Sequence, residues 1–247
     1  MAADSLKNIR FVLCETAHPG NIGAAARALK TMGLGRLHLV APRQFPDPQA
    51  EWLASGATDV LRRARVHASL NEALAGSALT VACTARPREI AAPMVSAREA
   101  AARVVEVARM QPAALVFGNE TFGLTAAEVG KCQLLATIPA NPEYSSLNVA
   151  AAVQLFAYEL RLAALGAVPP DGKARARASH EELERFFEHL ERAMVEHGFF
   201  NPEHPKKLMP RLRRLFNRAQ LEREEVNILR GVIKALVTPK PRRSRTS

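Results

Sequence analysis

Five stretches hold residue types that could do chemistry, and the first four offer the holding of a small molecule or the handling of an anion. HPGNIGAAAR (18–27) places Asn21 and Arg27 around two glycines just after an apolar run. CTARPR (83–88) brings Cys83, Thr84 and Ala85 to the end of another run, and FGNETFGLT (117–125) brings Gly118 and Glu120 to the end of a third. IPANPEYSSLN (138–148) does the same with Ile138, Ser145, Ser146, Leu147 and Asn148 ahead of a long apolar helix. Glycines let a backbone approach a ligand closely, and backbone N–H groups at the start of a helix can meet an anion. Neither G-x-G-x-x-G nor G-x-x-x-x-G-K-[ST] is present around Gly20 and Gly23, so both nucleotide fingerprints fail there. Two readings of that stretch stay open on its own evidence: a glycine turn leading into a helix with a solvated arginine, or an arginine set into the helix for catalysis. No nucleophile is paired with a base, because the seven histidines are scattered and no Ser/His/Asp group forms. Cys14, Cys83 and Cys132 make no C-x-x-C pair and no Cys/His cluster, which argues for reduced thiols, a cytoplasmic setting and no metal site.

The fifth stretch is basic. Lys206, Lys207, Arg211, Arg213, Arg214 and Arg218 recur partly at three- and four-residue spacing and can share a helix face. Leu208, Leu212, Leu215 and Phe216 read as the packing side of the same helix. The chain carries a formal net charge of +10. Through Leu165 there are 16 Lys and Arg against 13 Asp and Glu, whereas from Gly166 onward there are 18 against 11. The excess is therefore C-terminal and suits a polyanion, whose phosphates such residues grip without reading its sequence.

These stretches need elements to position them. Apolar runs at 9–14, 37–40, 79–84, 113–117 and 134–138 read as strands, alternating with helical stretches such as SAREAAARVVEVARM and TAAEVGK. Capping-box pairs at Ser96/Glu99, Thr125/Glu128 and Ser179/Glu182 mark three helix starts. The alternation predicts an α/β fold with a mostly parallel sheet, its loops converging at the carboxyl ends of the strands. GAVPPDGKARARA (166–178) has the proline, glycine and charge content of a linker, and helical stretches and a basic tail follow. The division expected is an α/β domain at 1–165, the linker at 166–178, a helical basic extension at 179–237 and a disordered basic tail at 238–247. No N-terminal signal pattern appears, and no apolar stretch was expected to reach the roughly 18 residues of a membrane span.

Together N-x-G-x-x-x-R at 21–27, G-N-E-x-x-G-L at 118–124 and N-P-E-Y-S-S-L-N at 141–148 resemble, in order and spacing, the three motifs of the SPOUT (TrmH-like) RNA 2'-O-ribose methyltransferases. FVLCETAHPGNIGAAARALKTMGL, the NPEYSSLN form and HPKKLMPRLRRLFNRAQLEREEVNILRG resemble more narrowly the TrmJ branch, the tRNA (cytidine/uridine-32-2'-O)-methyltransferases, over roughly residues 8–235. The resemblance implies a C-terminal trefoil knot, a homodimer, S-adenosylmethionine as cofactor and tRNA as substrate, with no membrane and no DNA. By motif position it assigns the cofactor to Cys83, Thr84, Ala85, Gly118, Ile138, Ser145, Ser146 and Leu147. It makes Arg27 catalytic, with Asn21 and Glu120 beside it, and puts substrate on Arg27 and Asn148, while the basic extension, by its charge, is expected to hold the RNA through Lys206, Lys207, Arg211, Arg213 and Arg214. A guanidinium keeps its proton in proteins, which favours a bidentate grip on phosphate and stabilisation of a forming alkoxide over proton removal. Methylation of another tRNA or rRNA ribose is the alternative within this chemistry. A non-catalytic RNA-binding protein is the alternative outside it, and the missing dinucleotide fingerprint speaks against a dehydrogenase.

Overall fold

The computed structural model describes residues 5–85, 93–166 and 176–237. Most of the expected linker, the 238–247 tail and the end of CTARPR lie outside the described residues. Seven strands, β1 (Ile9–Cys14), β2 (Arg36–Val40), β3 (Arg65–His67), β4 (Leu79–Cys83), β5 (Met94–Ser96), β6 (Ala113–Phe117) and β7 (Leu134–Thr137), form one sheet in the order β3-β2-β1-β6-β4-β7-β5. Every pairing is parallel. A parallel sheet must be covered on both faces, and the central strands are accordingly apolar without alternation: AALVF of β6 is buried throughout. β3 and β5 were not expected. Each is three residues long, lies at a sheet edge and has no buried residue, so it leaves no apolar pattern to read.

One face is covered by α1 (Pro19–Thr31), α5 (Ala97–Ala108) and α7 (Val149–Gly166), with the short α2 (Pro48–Ala54) and α3 (Thr58–Arg62) outside α1. The other face carries α4 (Leu70–Leu74) and α6 (Ala126–Gly130). Phe117 joins the sheet to the α7 side, stacking on Phe11 at 5.7 Å between centroids and meeting Phe156 edge-on at 5.6 Å. The capping boxes at Ser96, Thr125 and Ser179 all form, and Gly33 ends α1 in the left-handed conformation at φ +77°.

Two expectations change. The glycine turn at 20–23 is helix: α1 begins at Pro19, and the glycines serve close packing. A Cβ on Gly23 would lie 2.1 Å from the Ala50 carbonyl oxygen, so α2 can cross α1 only over a glycine. Secondly, α7 is an 18-residue helix with a mean hydropathy of 1.3, apolar and long enough to cross a membrane by those measures. Val153, Phe156, Ala157 and Leu160 on it are buried in the sheet core, which accounts for that composition.

The C-terminal helices α8 (His180–Glu196), α9 (Leu208–Ala219) and α10 (Arg223–Val237) have their own small core of Leu183, Phe186, Phe187, Leu221 and Val226. They dock on the α4/α6 side through polar ties. The Gly76 N–H donates to Glu181 at 2.6 Å, the His180 N–H to the Ser77 carbonyl at 2.8 Å, and Asn217 Nδ2 to the Cys132 carbonyl at 3.2 Å.

Candidate active site

β4, β6 and β7 are neighbours in the sheet, so the loops leaving their carboxyl ends open side by side and enclose a cavity of about 450 Å³. Its wall takes Cys83, Thr84 and Ala85 from the first loop, Gly118 to Leu124 from the second, and Ile138 with Tyr144 to Asn148 from the third; Phe117 and Phe156 form an apolar floor. All eight residues expected to hold a small molecule line it, as do Glu120 and Asn148. The volume falls in the range of pockets that take drug-sized ligands.

Local chemistry fixes each loop. The second closes on itself: the Gly123 N–H donates to the Asn119 carbonyl at 2.8 Å, and Gly123 turns at φ +68°. A Cβ on Gly118 would fall 2.1 Å from the Gly123 carbonyl carbon, so only glycine fits that closure. Asn119 Oδ1 accepts the Thr121 N–H at 2.8 Å, while its Nδ2 donates to the Glu15 carbonyl at 2.7 Å and ties the loop to the end of β1. That tie spans 104 positions and is invisible to sequence reading. In the third loop, Asn141 Oδ1 accepts the Glu143 N–H, and Asn148 Oδ1 accepts from Ala150 at 2.8 Å and Ala151 at 3.3 Å to cap α7.

The three motifs are joined by one polar chain. Asn148 Nδ2 donates to Asn21 Oδ1 at 2.9 Å, and Asn21 Nδ2 donates to Glu120 Oε1 at 2.8 Å. Glu120 also accepts the Ala17 N–H at 2.9 Å and the His18 N–H at 3.3 Å. α1 has no acidic residue in its first turn and no side-chain cap, so Glu120 supplies from another loop the negative charge that a helix N-terminus favours. Partial burial acts to raise the Glu120 carboxyl, but the bonds from Ala17, Asn21 and His18 outweigh it and hold the group below the usual carboxylate range. Glu120 is thus an ionised, satisfied anchor.

Arg27 is elsewhere. It is exposed on α1 and does not line the cavity of its own chain. The basic residues also divide. Lys206, Lys207, Arg211 and Arg214 are exposed, whereas Arg213 makes a bidentate pair with Glu184 at 2.5 and 2.9 Å and lies 4.4 Å over the Phe187 ring. Arg213, expected on the substrate side, is committed to fastening α9 on α8. Phe122 and Tyr144, 70% and 79% exposed at the cavity's rim, were not singled out by their sequence context. Burial pushes the Cys83 thiol up, so it offers no ready nucleophile, and no group of three or more His, Cys, Asp or Glu suited to a metal occurs among the described residues.

The parallel α/β sheet with three loops converging on one cavity is an architecture shared with the SpoU-type methyltransferases. The SpoU rRNA Methylase family matches residues 8–158, and the chain belongs to it. The C-terminal domain of the tRNA methyltransferase TrmJ matches residues 181–246. Two relatives bear the name tRNA (cytidine/uridine-2'-O-)-methyltransferase TrmJ. That of Pectobacterium atrosepticum is 48% identical over 234 residues, covering 94% of this chain and 97% of its own. That of Salmonella typhimurium is 49% identical over 239 residues with the same coverage. The crystal structure of TrmJ from Z. mobilis ZM4 superposes with a TM-score of 0.82 at 36% identity, covering 93% of this chain and 99% of that one.

Proposed function

We propose that this protein transfers a methyl group from S-adenosylmethionine to the ribose 2'-oxygen of cytidine or uridine at position 32 of the tRNA anticodon loop. The observation that carries the reading is the convergence of Cys83, Thr84, Ala85, Gly118, Ile138, Ser145, Ser146 and Leu147 on one cavity that the Asn21 motif braces from outside. The tRNA substrate is supported by the relatives' names and by the match of residues 181–246; position 32 rests on the resemblance of the NPEYSSLN loop and the extension to the TrmJ branch. The C-terminal trefoil knot and a cytoplasmic site of action belong to the same reading.

The cavity suits the cofactor: it has glycine-permitted backbone at Gly118, an apolar floor and polar loop groups around it. When bound, S-adenosylmethionine supplies an electrophilic methyl on a sulfonium. The three loops hold and orient it, largely with main-chain groups. A ribose 2'-hydroxyl held in line with that methyl would take it as the carbon–sulfur bond breaks, its proton passing to solvent and the sulfide leaving as product. Alignment of the two centres is the principal task, worth up to roughly 7 to 11 kcal/mol in favourable cases. Asn21, Glu120 and Asn148 are positioning residues that keep the loops and α1 in one register. Arg27 grips the adjacent phosphate and stabilises the forming alkoxide.

Because Arg27 stands outside its own chain's cavity, the reading includes a homodimer in which one chain's Arg27 serves the other's cavity. Leu155, Tyr158, Leu162 and Leu165 present an exposed apolar stripe on α7 at the spacing of one helix face, which a second copy would cover. Exposed Lys206, Lys207, Arg211 and Arg214 give the substrate's phosphates a further hold.

The test is methyl transfer from labelled S-adenosylmethionine to total tRNA, with nuclease mapping of the product and Arg27→Ala in parallel. Label in 2'-O-methylcytidine or 2'-O-methyluridine at position 32, lost in the variant while cofactor binding persists, is the expected result. Label at another ribose would overturn the site, and cofactor binding without transfer to any RNA would overturn the activity.

A further inference from the structure

At the amino ends of the strands, opposite the active-site loops, the sheet carries an arrangement of cations that the proposed reaction does not use. A groove of about 530 Å³ is lined by Lys7, Arg36, Arg63, Arg65 and His38 together with the Gly33–Gly35 turn, and among the described residues no acidic side chain enters its wall. The register makes the arrangement costly. Arg10 of β1 stands directly opposite Arg36 of β2, and His38 of β2 directly opposite Arg65 of β3, so like charges or potential like charges face each other on one side of three adjacent strands. Like charges directly opposite in a sheet destabilise it. Arg10 turns away to donate to the Ala73 and Ala75 carbonyls at 3.2 and 2.6 Å, and Arg63 pairs with Asp59. No hydrogen bond or ion pair engages Arg36 or Arg65 among the described residues, and both are exposed.

The histidines report on the local field. His38 Nδ1 and His67 Nε2 lie 2.9 Å apart in parallel rings. Burial first, then the charges of Arg10, His67, Arg65 and Arg36, press His38 down to about 3; burial also lowers His67, against the opposing pull of Glu72. The imidazoles thus favour their neutral form, while the guanidiniums stay charged.

We infer that the Arg36–Arg65 groove is a second phosphate-binding surface that takes the RNA backbone at the end of the sheet remote from the methyl-transfer cavity. The inference rests on the reading of the substrate as tRNA, a polyanion long enough to meet both ends of a sheet whose strands span about 17 to 20 Å. Charge complementarity selects this occupant. Guanidiniums with free forks bind phosphate in bidentate fashion, and such contacts add affinity without sequence information. The competing account is that cations on β3 merely keep an edge strand from pairing with another chain.

The experiment is tRNA binding by the full chain across about 50 to 200 mM salt, comparing it with Arg36→Gln/Arg65→Gln and with Arg36→Lys/Arg65→Lys. The glutamine pair is expected to reduce the slope of log K against log salt by about 1 to 2, as the loss of one or two phosphate contacts requires. It should raise KM for tRNA several-fold, with the effect falling on KM rather than on kcat, and the lysine pair should retain most of the slope. Thermal melting should hold or rise, since repulsion is removed; unfolding of the glutamine pair would overturn the claim that the cluster is repulsive. An unchanged slope and KM would leave edge protection as the cations' role. Methyl transfer by the unaltered chain reads the activity separately: transfer with an unchanged slope overturns the groove alone, and a changed slope without transfer overturns the activity alone.

Discussion

Glu120→Ala is the most informative perturbation of the active site, because it removes the acceptor on which three donors converge. The Ala17 and His18 N–H groups and Asn21 Nδ2 lose their partner together, and Asn21 is then free to release Asn148. A hydrogen bond to a charged group contributes about 1.5 to 3 kcal/mol net. The site is only half-buried, so water recovers part of that, and a total loss of about 2 kcal/mol is expected rather than the sum of three bonds. For a chain of this length the loss corresponds to a fall of about 4 to 8 °C in Tm. Activity should suffer more than stability, since a displacement of about 1 Å at reacting centres can reduce the rate by roughly 100-fold. The assay is single-turnover methyl transfer with calorimetric cofactor binding on the same preparation: kcat should fall about 100-fold while cofactor affinity changes little. Glu120→Gln separates anchoring from proton transfer. Its amide oxygen can still accept from some of the donors, so an intermediate loss with an unaltered pH profile is expected. Total inactivation without a change in Tm, accompanied by loss of a limb of the pH–rate profile, would refute the anchoring argument and make Glu120 a base.

The remaining expectations can be measured on the same protein. Because the Glu120 carboxyl is held below its unfolded value, its contribution to stability is complete above the ordinary carboxylate range and is lost as pH falls through and below that range; Tm followed from pH 7 down to about pH 3 should show the loss in the native chain and not in Glu120→Gln. Gly23→Ala drives a Cβ into the Ala50 carbonyl and should cost about 1 to 3 kcal/mol by denaturant titration, whereas Gly130→Ala, with open space at that position, should stay within about 1 kcal/mol. Arg213→Ala strands Glu184 and uncovers Phe187, so hydrogen exchange in α8 and α9 should accelerate with a loss of about 2 kcal/mol; Arg214→Ala should instead weaken tRNA binding and leave exchange as it was. Burial raises the Cys14 thiol and pushes Cys132 up to about 12, so a thiol reagent at pH 8 should label both slowly and only after unfolding.

The parts of the fold that sequence reading reached are those written locally. Strands buried on both faces show as unbroken apolar runs, as in AALVF, and capping boxes such as Ser96 with Glu99 are a four-residue matter. β3 and β5 escaped it because a three-residue edge strand is defined by its partner. The glycines of HPGNIG were read as a turn because glycine disfavours helix. The Ala50 carbonyl against Gly23 reverses that preference, and it comes from a helix crossing that no local pattern encodes. For the site, turn chemistry at the ends of three apolar runs marks the three loops that line the cavity, whereas the individual residues come from the motif resemblance. The Arg213–Glu184 pair is hidden for a related reason: nothing in a run of basic residues tells which of them a carboxylate on another helix will face.

The same contrast explains why the three motifs take the form they do. Among the described residues no pairing of nucleophile and base was found at the cavity, so a search for the residues of bond-breaking chemistry in the sequence finds only loops. On the proposed reading what the cavity needs is registration: two loops, and a helix start 99 and 127 positions away from them in the chain, must hold a methyl donor and a ribose in line. Asn21, Glu120 and Asn148 meet that need with amide and carboxylate groups that bond one another and the backbone at once. An asparagine in this chain must donate on one side and accept on the other, which aspartate cannot do at neutral pH. Asn21→Asp and Asn148→Asp are therefore expected to be as damaging as alanine, despite near-identical shape. Asn21→Asp places a second carboxylate against Glu120, so its activity should recover in part when Glu120→Gln is added; two independent, additive losses in that double variant would show that the three residues do not act as one unit.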